Sequence, residues 1–214
     1  MSGFLLVLSA PSGTGKTTIA RALLAARDDL AFSVSATTRP PRDGERQGVD
    51  YQFLDRADFE GRIDRGEFLE WAEYGGNLYG TLKSEVEAIL ETNRHVVLDI
   101  ETQGARNIRR ESSNVVSVFI LPPSSAALLD RLKSRSTEGP AAMEARLERA
   151  VDEISEAADY DYIVVNEDRM EAVADVARII DAESHRAGRQ PGIQHLLAEL
   201  REGLLKEART VRQR

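Results

Sequence analysis

Residues Phe4–Ala26 read FLLVLSAPSGTGKTTIARALLAA, and this stretch decides the fold. Phe4–Ser9 is an unbroken apolar run, the pattern of a strand buried on both faces of a parallel sheet. Pro11–Gly15 is a glycine-rich turn. Thr17–Ala26 then places Ile19, Ala20, Leu23 and Leu24 at helical spacing, as an amphipathic helix requires. The order is strand, glycine turn, helix.

Working outward, the alternation repeats. His95–Ile100 (HVVLDI) reads as a strand and Gln103–Arg110 as a helix. Val115–Leu121 (VVSVFIL) is a strand stopped by Pro122-Pro123, and Ser124-Ser125 offer a cap for a helix running to Lys133. Tyr162–Val165 (YIVV) is a short strand before a helix from about Met170 to Arg186. Strands alternating with helices imply an α/β fold around a parallel sheet. Two stretches interrupt it. Ser33–Gly80 carries glycines, short strand-like pieces and the aromatics Tyr51, Phe53, Phe59, Phe68, Trp71 and Tyr74, and reads as an insertion with its own small sheet. Ser134–Pro140 (SRSTEGP) is a breaker among Arg131, Arg135 and Arg146, and reads as a mobile flap.

Composition narrows the function classes. With 28 Lys and Arg against 36 Asp and Glu, the 214-residue chain carries a net charge of −8, which argues against nonspecific binding to nucleic acid. Zero cysteines exclude disulfides, cysteine–zinc sites, iron–sulfur clusters and thiol catalysis. His95, His185 and His195 form no metal-ligand pattern and read as structural or surface residues. The apolar run at Phe4–Leu8 lacks a basic flank and is too short for a leader or membrane helix. The expectation is a soluble, cytoplasmic protein that engages neither membrane nor nucleic acid.

The turn itself carries chemistry. Ala10-Pro11-Ser12-Gly13-Thr14-Gly15-Lys16-Thr17 fits the nucleotide-loop pattern G-x-x-x-x-G-K-S/T except that Ala10 stands at the first glycine. Such a turn wraps backbone N–H groups around phosphate oxygens, and the following helix adds its positive end. Lys16 would contact the β- and γ-phosphates and the Thr17 hydroxyl could ligate Mg²⁺. The motif specifies a nucleoside triphosphate and no particular reaction.

Further clusters follow in order: Ser35-Ala36-Thr37-Thr38-Arg39-Pro40-Pro41-Arg42-Asp43-Gly44-Glu45, Val49-Asp50-Tyr51-Gln52-Phe53, Phe68-Leu69-Glu70-Trp71-Ala72-Glu73, Gly76-Asn77-Leu78-Tyr79-Gly80-Thr81 and Leu98-Asp99-Ile100-Glu101-Thr102-Gln103-Gly104-Ala105. Together with the phosphate loop, this set resembles the guanylate kinases, over nearly the whole chain to about Arg186. The resemblance implies a P-loop NTPase-type parallel sheet core with helices on both faces, a small mixed α/β insertion that binds GMP, and an ATP lid. It divides the chain into a core (1–34 and 82–190, the lid at about 134–150), the insertion (35–81) and a tail (191–214). Its substrates would be ATP and GMP, with Mg²⁺ as the ion accompanying ATP.

The resemblance also implies roles. Ser12, Gly13, Thr14, Gly15, Lys16, Thr17, Thr18 and Asn166 would bind ATP, with Asn166 near the adenine. Ser35, Arg39, Arg42, Tyr51, Glu70, Tyr79, Thr81, Asp99 and Glu101 would bind GMP. Lys16, Arg39, Arg131, Arg135 and Arg146 would act on the transferring phosphoryl group, and Thr17 with Asp99 would serve the metal. The residue chemistry runs parallel to this. Two guanidinium forks at Arg39 and Arg42, beside stiff prolines, suit a phosphate dianion. A carboxylate at Glu70 can accept from guanine N1–H and N2–H₂, whereas adenine would leave it unpaired. An acid such as Asp99 at a strand's carboxyl end lies where α/β sheets bind ligands. Two departures stand out: Glu101 where the family usually has Asp, and Ser136 where Gly commonly follows the lid arginine.

Two other functions compete with this one. A phosphopeptide-binding scaffold module of the same fold typically loses phosphate-loop residues, and Gly13, Gly15, Lys16 and Thr17 are intact. A related kinase acting on a ribose phosphate would not need an insertion built around Glu70. In the tail, Ile193, Leu196, Leu197, Leu200, Leu204 and Val211 recur at spacings of three, four and seven, one apolar face of a helix. An isolated helix of that kind is marginal, so the face is expected to bury against something. The simplest cover is its own domain; a partner subunit, giving a homo-oligomer, is the alternative. A membrane surface fits less well, because the polar face mixes acids and bases.

Overall fold

In the computed structural model, which describes residues 3–134 and 140–212, the opening apolar run becomes strand β1 (Leu5–Ser9), buried at all five residues. The glycine turn feeds α1 (Lys16–Ala26), which opens one residue before the expected Thr17 and buries Ile19, Ala20 and Leu23. After β2 (Leu30–Phe32) comes the insertion: β3 (Ala36–Thr37), β4 (Gln52–Phe53), α2 (Arg56–Asp64), β5 (Phe68–Tyr74) and β6 (Asn77–Leu82). The chain continues through α3 (Lys83–Glu91), β7 (His95–Asp99), α4 (Thr102–Glu111), β8 (Val115–Leu121), α5 (Ser125–Ser134) and α6 (Pro140–Ser155). It ends with β9 (Tyr162–Val165), α7 (Arg169–Ser184) and α8 (Ile193–Arg212).

The large sheet has strand order β2-β7-β1-β8-β9, and every pairing in it is parallel. Alternate residues of β1 enter opposite cores. Leu6 and Leu8 pack with Ile19 and Leu23 of α1 and Val176 and Ile180 of α7. Leu5 and Val7 pack with Val86 of α3 and with Ala105 and Ile108 of α4. That is why the run is continuous rather than alternating: helices cover both faces.

The insertion builds a second sheet, order β4-β3-β6-β5, mostly antiparallel. Its core is Ala36, Phe59, Phe68, Leu78 and Leu82, with the Phe59 and Phe68 rings stacked 4.3 Å apart. Three helices went unforeseen: α2, α3 and α6, the last running through the stretch expected to be the lid. Along α2, Phe59 is the one buried residue, so no apolar stripe marks it; its start rests on Asp55, whose carboxylate accepts from the Asp58 amide. Similarly, α3 buries Val86 alone.

The tail is helical, as its spacing implies, but docking on its own domain is not what the structure shows. None of the residues of α8 is buried, and Leu196, Leu197, Leu200, Leu204 and Val211 are 48–73% exposed. Gly192, at φ 83°, turns the chain just before α8.

Candidate active site

The phosphate loop closes with the Thr14 amide donating to the Pro11 carbonyl at 3.1 Å. Gly13 and Gly15 take φ of 88° and 98°, a left-handed backbone that glycine adopts without strain, and Gly15 caps α1. Two side chains brace the loop from outside. Asn166, buried after β9, donates to the Thr14 carbonyl at 2.7 Å, and Arg131 of α5 donates to the same carbonyl at 3.0 Å. Both line a recess with Gly13, Gly15 and Thr18.

Beyond the end of β7, three functional groups converge. The Lys16 ammonium donates to the Ile100 carbonyl at 2.8 Å and pairs with Asp99 at 3.0 Å. The Thr17 hydroxyl donates to the other Asp99 oxygen at 2.8 Å. Burial opposes the Lys16 charge, but Glu101 and Asp99 outweigh it and hold the ammonium above its ordinary range. Among the described residues no cluster of three or more acids or histidines is built for a metal. The Thr17–Asp99 pair is nonetheless the donor set that suits Mg²⁺, which takes one or two protein oxygens and fills its shell with waters and substrate phosphates.

Facing the loop is a cleft of ≈ 730 Å³ walled by the insertion. Ser35, Arg39, Arg42, Tyr51, Glu70, Tyr79, Asp99 and Glu101 all line it. The Arg39 fork is held by Glu45, which accepts two hydrogen bonds from one guanidinium nitrogen at 2.8 and 3.0 Å. The same carboxylate accepts from the Arg42 amide at 2.8 Å. Glu45, more than the two prolines, therefore sets this loop. The Arg39 guanidinium lies 5.3 Å from the Tyr51 ring, and Tyr51 meets Tyr79 edge-on at 6.1 Å.

Glu70 is 7% exposed, and one carboxylate oxygen accepts from the Thr81 hydroxyl at 2.7 Å. Burial pushes its carboxyl up to about 7, against the opposing pull of Thr81. A carboxylate has about four lone-pair sites, so beyond Thr81 it can still accept from a ligand with paired N–H donors.

The fourth wall is α6. Arg146, Arg149, Asp152 and Glu153 line the same cleft, and Arg149 donates to the Tyr74 hydroxyl at 3.0 Å. Glu153 accepts from the Ser12 amide at 3.3 Å, where the loop would otherwise offer that N–H to phosphate. Burial, and next the charge of Glu101, raise the Glu153 carboxyl to about 7.

A model of the guanylate kinase family matches residues 2–183. The chain belongs to the guanylate kinase family. It is 49% identical over 187 residues to the guanylate kinase of Symbiobacterium thermophilum, covering 87% of this chain and 89% of that one. The guanylate kinase of Alkalilimnicola ehrlichii is 46% identical over 205 residues, covering 96% and 100%. The crystal structure of guanylate kinase from Anaplasma phagocytophilum superposes with a TM-score of 0.77 at 37% identity, over 92% of this chain and 95% of that one. The fold is thus the α/β parallel-sheet architecture of this phosphotransferase family.

Asn166 is committed to the Thr14 carbonyl, so its amide braces the loop. Of the arginines expected at the lid, Arg131 lies against the phosphate loop and Arg146 lines the acceptor cleft; Arg135 with Ser136 falls outside the described residues. Sequence reasoning passed over Glu45, Arg149 and Glu153. A signal existed for two of them: Arg146, Arg149 and Glu153 stand three and four apart, hence on one helix face. For Glu45 the signal was a lone acid in a loop of arginines.

Proposed function

We propose that the chain transfers the γ-phosphoryl group of ATP to GMP, and to dGMP, giving ADP and GDP or dGDP. One observation carries this beyond family membership. The buried, Thr81-tethered Glu70 carboxylate and the Arg39–Arg42 loop line one cleft with Asp99, the residue that pairs with Lys16 of the phosphate loop. A guanine reader, a phosphate clamp and a triphosphate loop thus face a common space. The division into core (1–34, 82–190), insertion (35–81) and tail (191–214) goes with this reading.

An oxygen of the GMP phosphate attacks the γ-phosphorus in line. The bond from that phosphorus to the β–γ bridging oxygen breaks, and ADP leaves with the electron pair. With a second ionisation near ~6, the acceptor phosphate is largely a dianion at pH 7 and needs no general base. Catalysis is then positioning and charge stabilisation. Arg39, Arg42, Tyr51 and Tyr79 aim the acceptor oxygen; Ser35, Glu70, Thr81 and Glu101 form the base end of the site. Lys16, Arg131, Arg135 and Arg146 offset the charge that spreads over the transferring group, and α1 lends its N-terminal amides. Thr17 and Asp99 are the residues that would hold Mg²⁺, which when bound neutralises the β- and γ-oxygens. No helix among the described residues is long and apolar enough to cross a membrane, and zero cysteines suit a reducing compartment; we place the activity in the cytoplasm. A coupled ATP assay offered GMP, dGMP, AMP, dTMP and ribose phosphates tests the function. Turnover is expected with the two guanine nucleotides; turnover confined to a ribose phosphate overturns it.

We infer further that α8 pairs with α8 of a second copy, antiparallel about a two-fold axis at residue 202. Around that point Ile193 faces Val211, Leu196 faces Ala208 and Leu200 faces Leu204, so the stripe meets itself apolar to apolar at these levels. Each leucine fully buried there would gain about 1.5–3 kcal/mol, which the isolated helix leaves unrealised. Light scattering across a concentration series is expected to give a dimer that Leu200→Glu returns to monomer. A monomer at all concentrations refutes the pairing.

A further inference from the structure

Gly104 is the third residue of α4, at a place where helix propensity favours alanine over glycine. The helix has no positive φ to accommodate there, since Gly104 is absent from the left-handed positions. Packing explains it. A Cβ built on Gly104 would fall 2.6 Å from one Glu70 carboxylate oxygen, 3.1 Å from its carboxyl carbon and 3.6 Å from the other oxygen. All three nearest atoms belong to Glu70. That carboxylate is pinned on its other side, where the Thr81 hydroxyl donates to it at 2.7 Å. Glu70 is thus held between a hydroxyl from β6 and the bare Cα of α4, and both Glu70 and Gly104 line the acceptor cleft.

The geometry points to Gly104 as a specificity-determining positioning residue: its missing side chain sets where the Glu70 carboxylate stands, and so which base the acceptor site takes. This rests on the GMP-acceptor reading. The mechanism is steric. Glu70 reaches the contact with the far end of a flexible side chain, so a methyl group at 104 moves the carboxylate rather than the helix. The displaced carboxylate keeps its charge but loses its alignment with two adjacent N–H donors of guanine. A bidentate contact turned by an ångström surrenders most of its directional gain. Because glycine is the poorer helix former, Gly104→Ala is expected to leave the fold as stable or more so. Stability and acceptor affinity would therefore move in opposite directions, which a merely structural glycine does not produce.

Purified full-length wild type, Gly104→Ala, Glu70→Asp and the double variant decide it, with GMP, IMP and AMP as acceptors. IMP shares the N1–H of guanine and lacks its 2-amino group. Gly104→Ala is expected to raise KM for GMP at least tenfold, to narrow the preference for GMP over IMP, and to leave kcat within threefold, ATP affinity unchanged and Tm unchanged or higher. Glu70→Asp withdraws the carboxylate by one methylene, so in the Gly104→Ala background it is expected to cost little further or to recover part of the loss. An unchanged KM for GMP in Gly104→Ala overturns the inference. So does a fall in Tm with parallel loss of ATP affinity, or effects of the two substitutions that simply multiply. Failure of wild type to phosphorylate GMP would instead strike the function reading itself.

Discussion

The two halves of the cleft are built on opposite principles. The phosphate side is backbone: a turn of consecutive residues, two left-handed glycines and a helix start, seated on a strand buried on both faces. The acceptor side is side chains: Arg39, Tyr51, Glu70 and Tyr79 come from scattered positions on short strands and loops of a small sheet. A backbone cradle binds phosphate whatever nucleoside is attached. A site made of side chains chooses the nucleoside, and each choice hangs on one or two supporting contacts, such as Glu45 beneath Arg39 and Thr81 beneath Glu70. Chemistry should thus break most completely on the backbone side, and selectivity on the other.

Lys16→Ala offers the largest effect. Its ammonium pairs with Asp99 at the end of β7, outside both cores of the sheet, so the fold has little stake in it. Removing a cation that stabilises the transition state is expected to cost about 10³-fold or more in kcat. Circular dichroism should show an unchanged fold, and turnover within tenfold of wild type would mean the loop does not carry the transfer.

Glu70→Gln tests the other half. The amide presents an N–H₂ where guanine also presents donors, leaving buried groups unpaired at about 1–3 kcal/mol, or roughly 5–150-fold in kcat/KM for GMP. Affinity for ATP should hold. The pH dependence sharpens this. With its carboxyl raised to about 7, Glu70 of the free protein takes up a proton as pH falls through neutrality, and one of its two acceptor oxygens becomes a donor. KM for GMP is expected to climb between pH 8 and 6 in wild type, and this step should be absent from Glu70→Gln. The sign on stability is opposite. Folding raises this carboxyl above its ordinary value, so its ionisation costs stability as pH rises from about 4.5 to about 7. Glu70→Gln should therefore melt higher than wild type at pH 8. Identical pH profiles would remove Glu70 from the base contact.

Glu45→Ala should act more mildly. The carboxylate binds the Arg39 fork and the Arg42 amide together, so its loss frees the clamp without removing either charge. KM for GMP is expected to rise about tenfold, one mispositioned charge-assisted contact, with kcat less affected. A larger loss of kcat than of GMP affinity would show that Glu45 serves the transfer step instead.

These contrasts also explain what could be read in advance. The phosphate loop was legible because its chemistry is local: Ala10–Thr17 needs only glycines, a lysine and a strand before them. The parallel sheet was legible because strands buried on both faces lose all alternation. The insertion was legible as a set of motifs through its resemblance to guanylate kinases, but not as geometry. That Glu45 holds Arg39 or that Gly104 makes room for Glu70 depends on distances across 6 and 34 positions, and no periodicity carries those. The polar helix α2 hid because a single phenylalanine docks it. The destination of α8 was misjudged for a physical reason: amphipathicity states that a face wants cover and says nothing of what provides it.

The smallest effect concerns that helix. A chain ending at Gln190 removes all of α8 and none of the residues lining the cleft or bracing the phosphate loop. Had α8 docked on its own domain, its loss would bare a matching apolar surface and lower Tm. With every residue of α8 unburied, little of the domain core depends on it. The shortened chain is expected to keep kcat and both KM values within twofold and, at protein concentrations where wild type is monomeric, to melt within ~2 °C of it, less than the shift from 1 kcal/mol in a domain this size. At higher concentration wild type alone should gain stability, because self-association adds to the folded state by mass action. A drop in Tm that is independent of concentration would show that α8 packs on its own domain in solution. A loss of activity in a folded, shortened chain would show that it reaches the site.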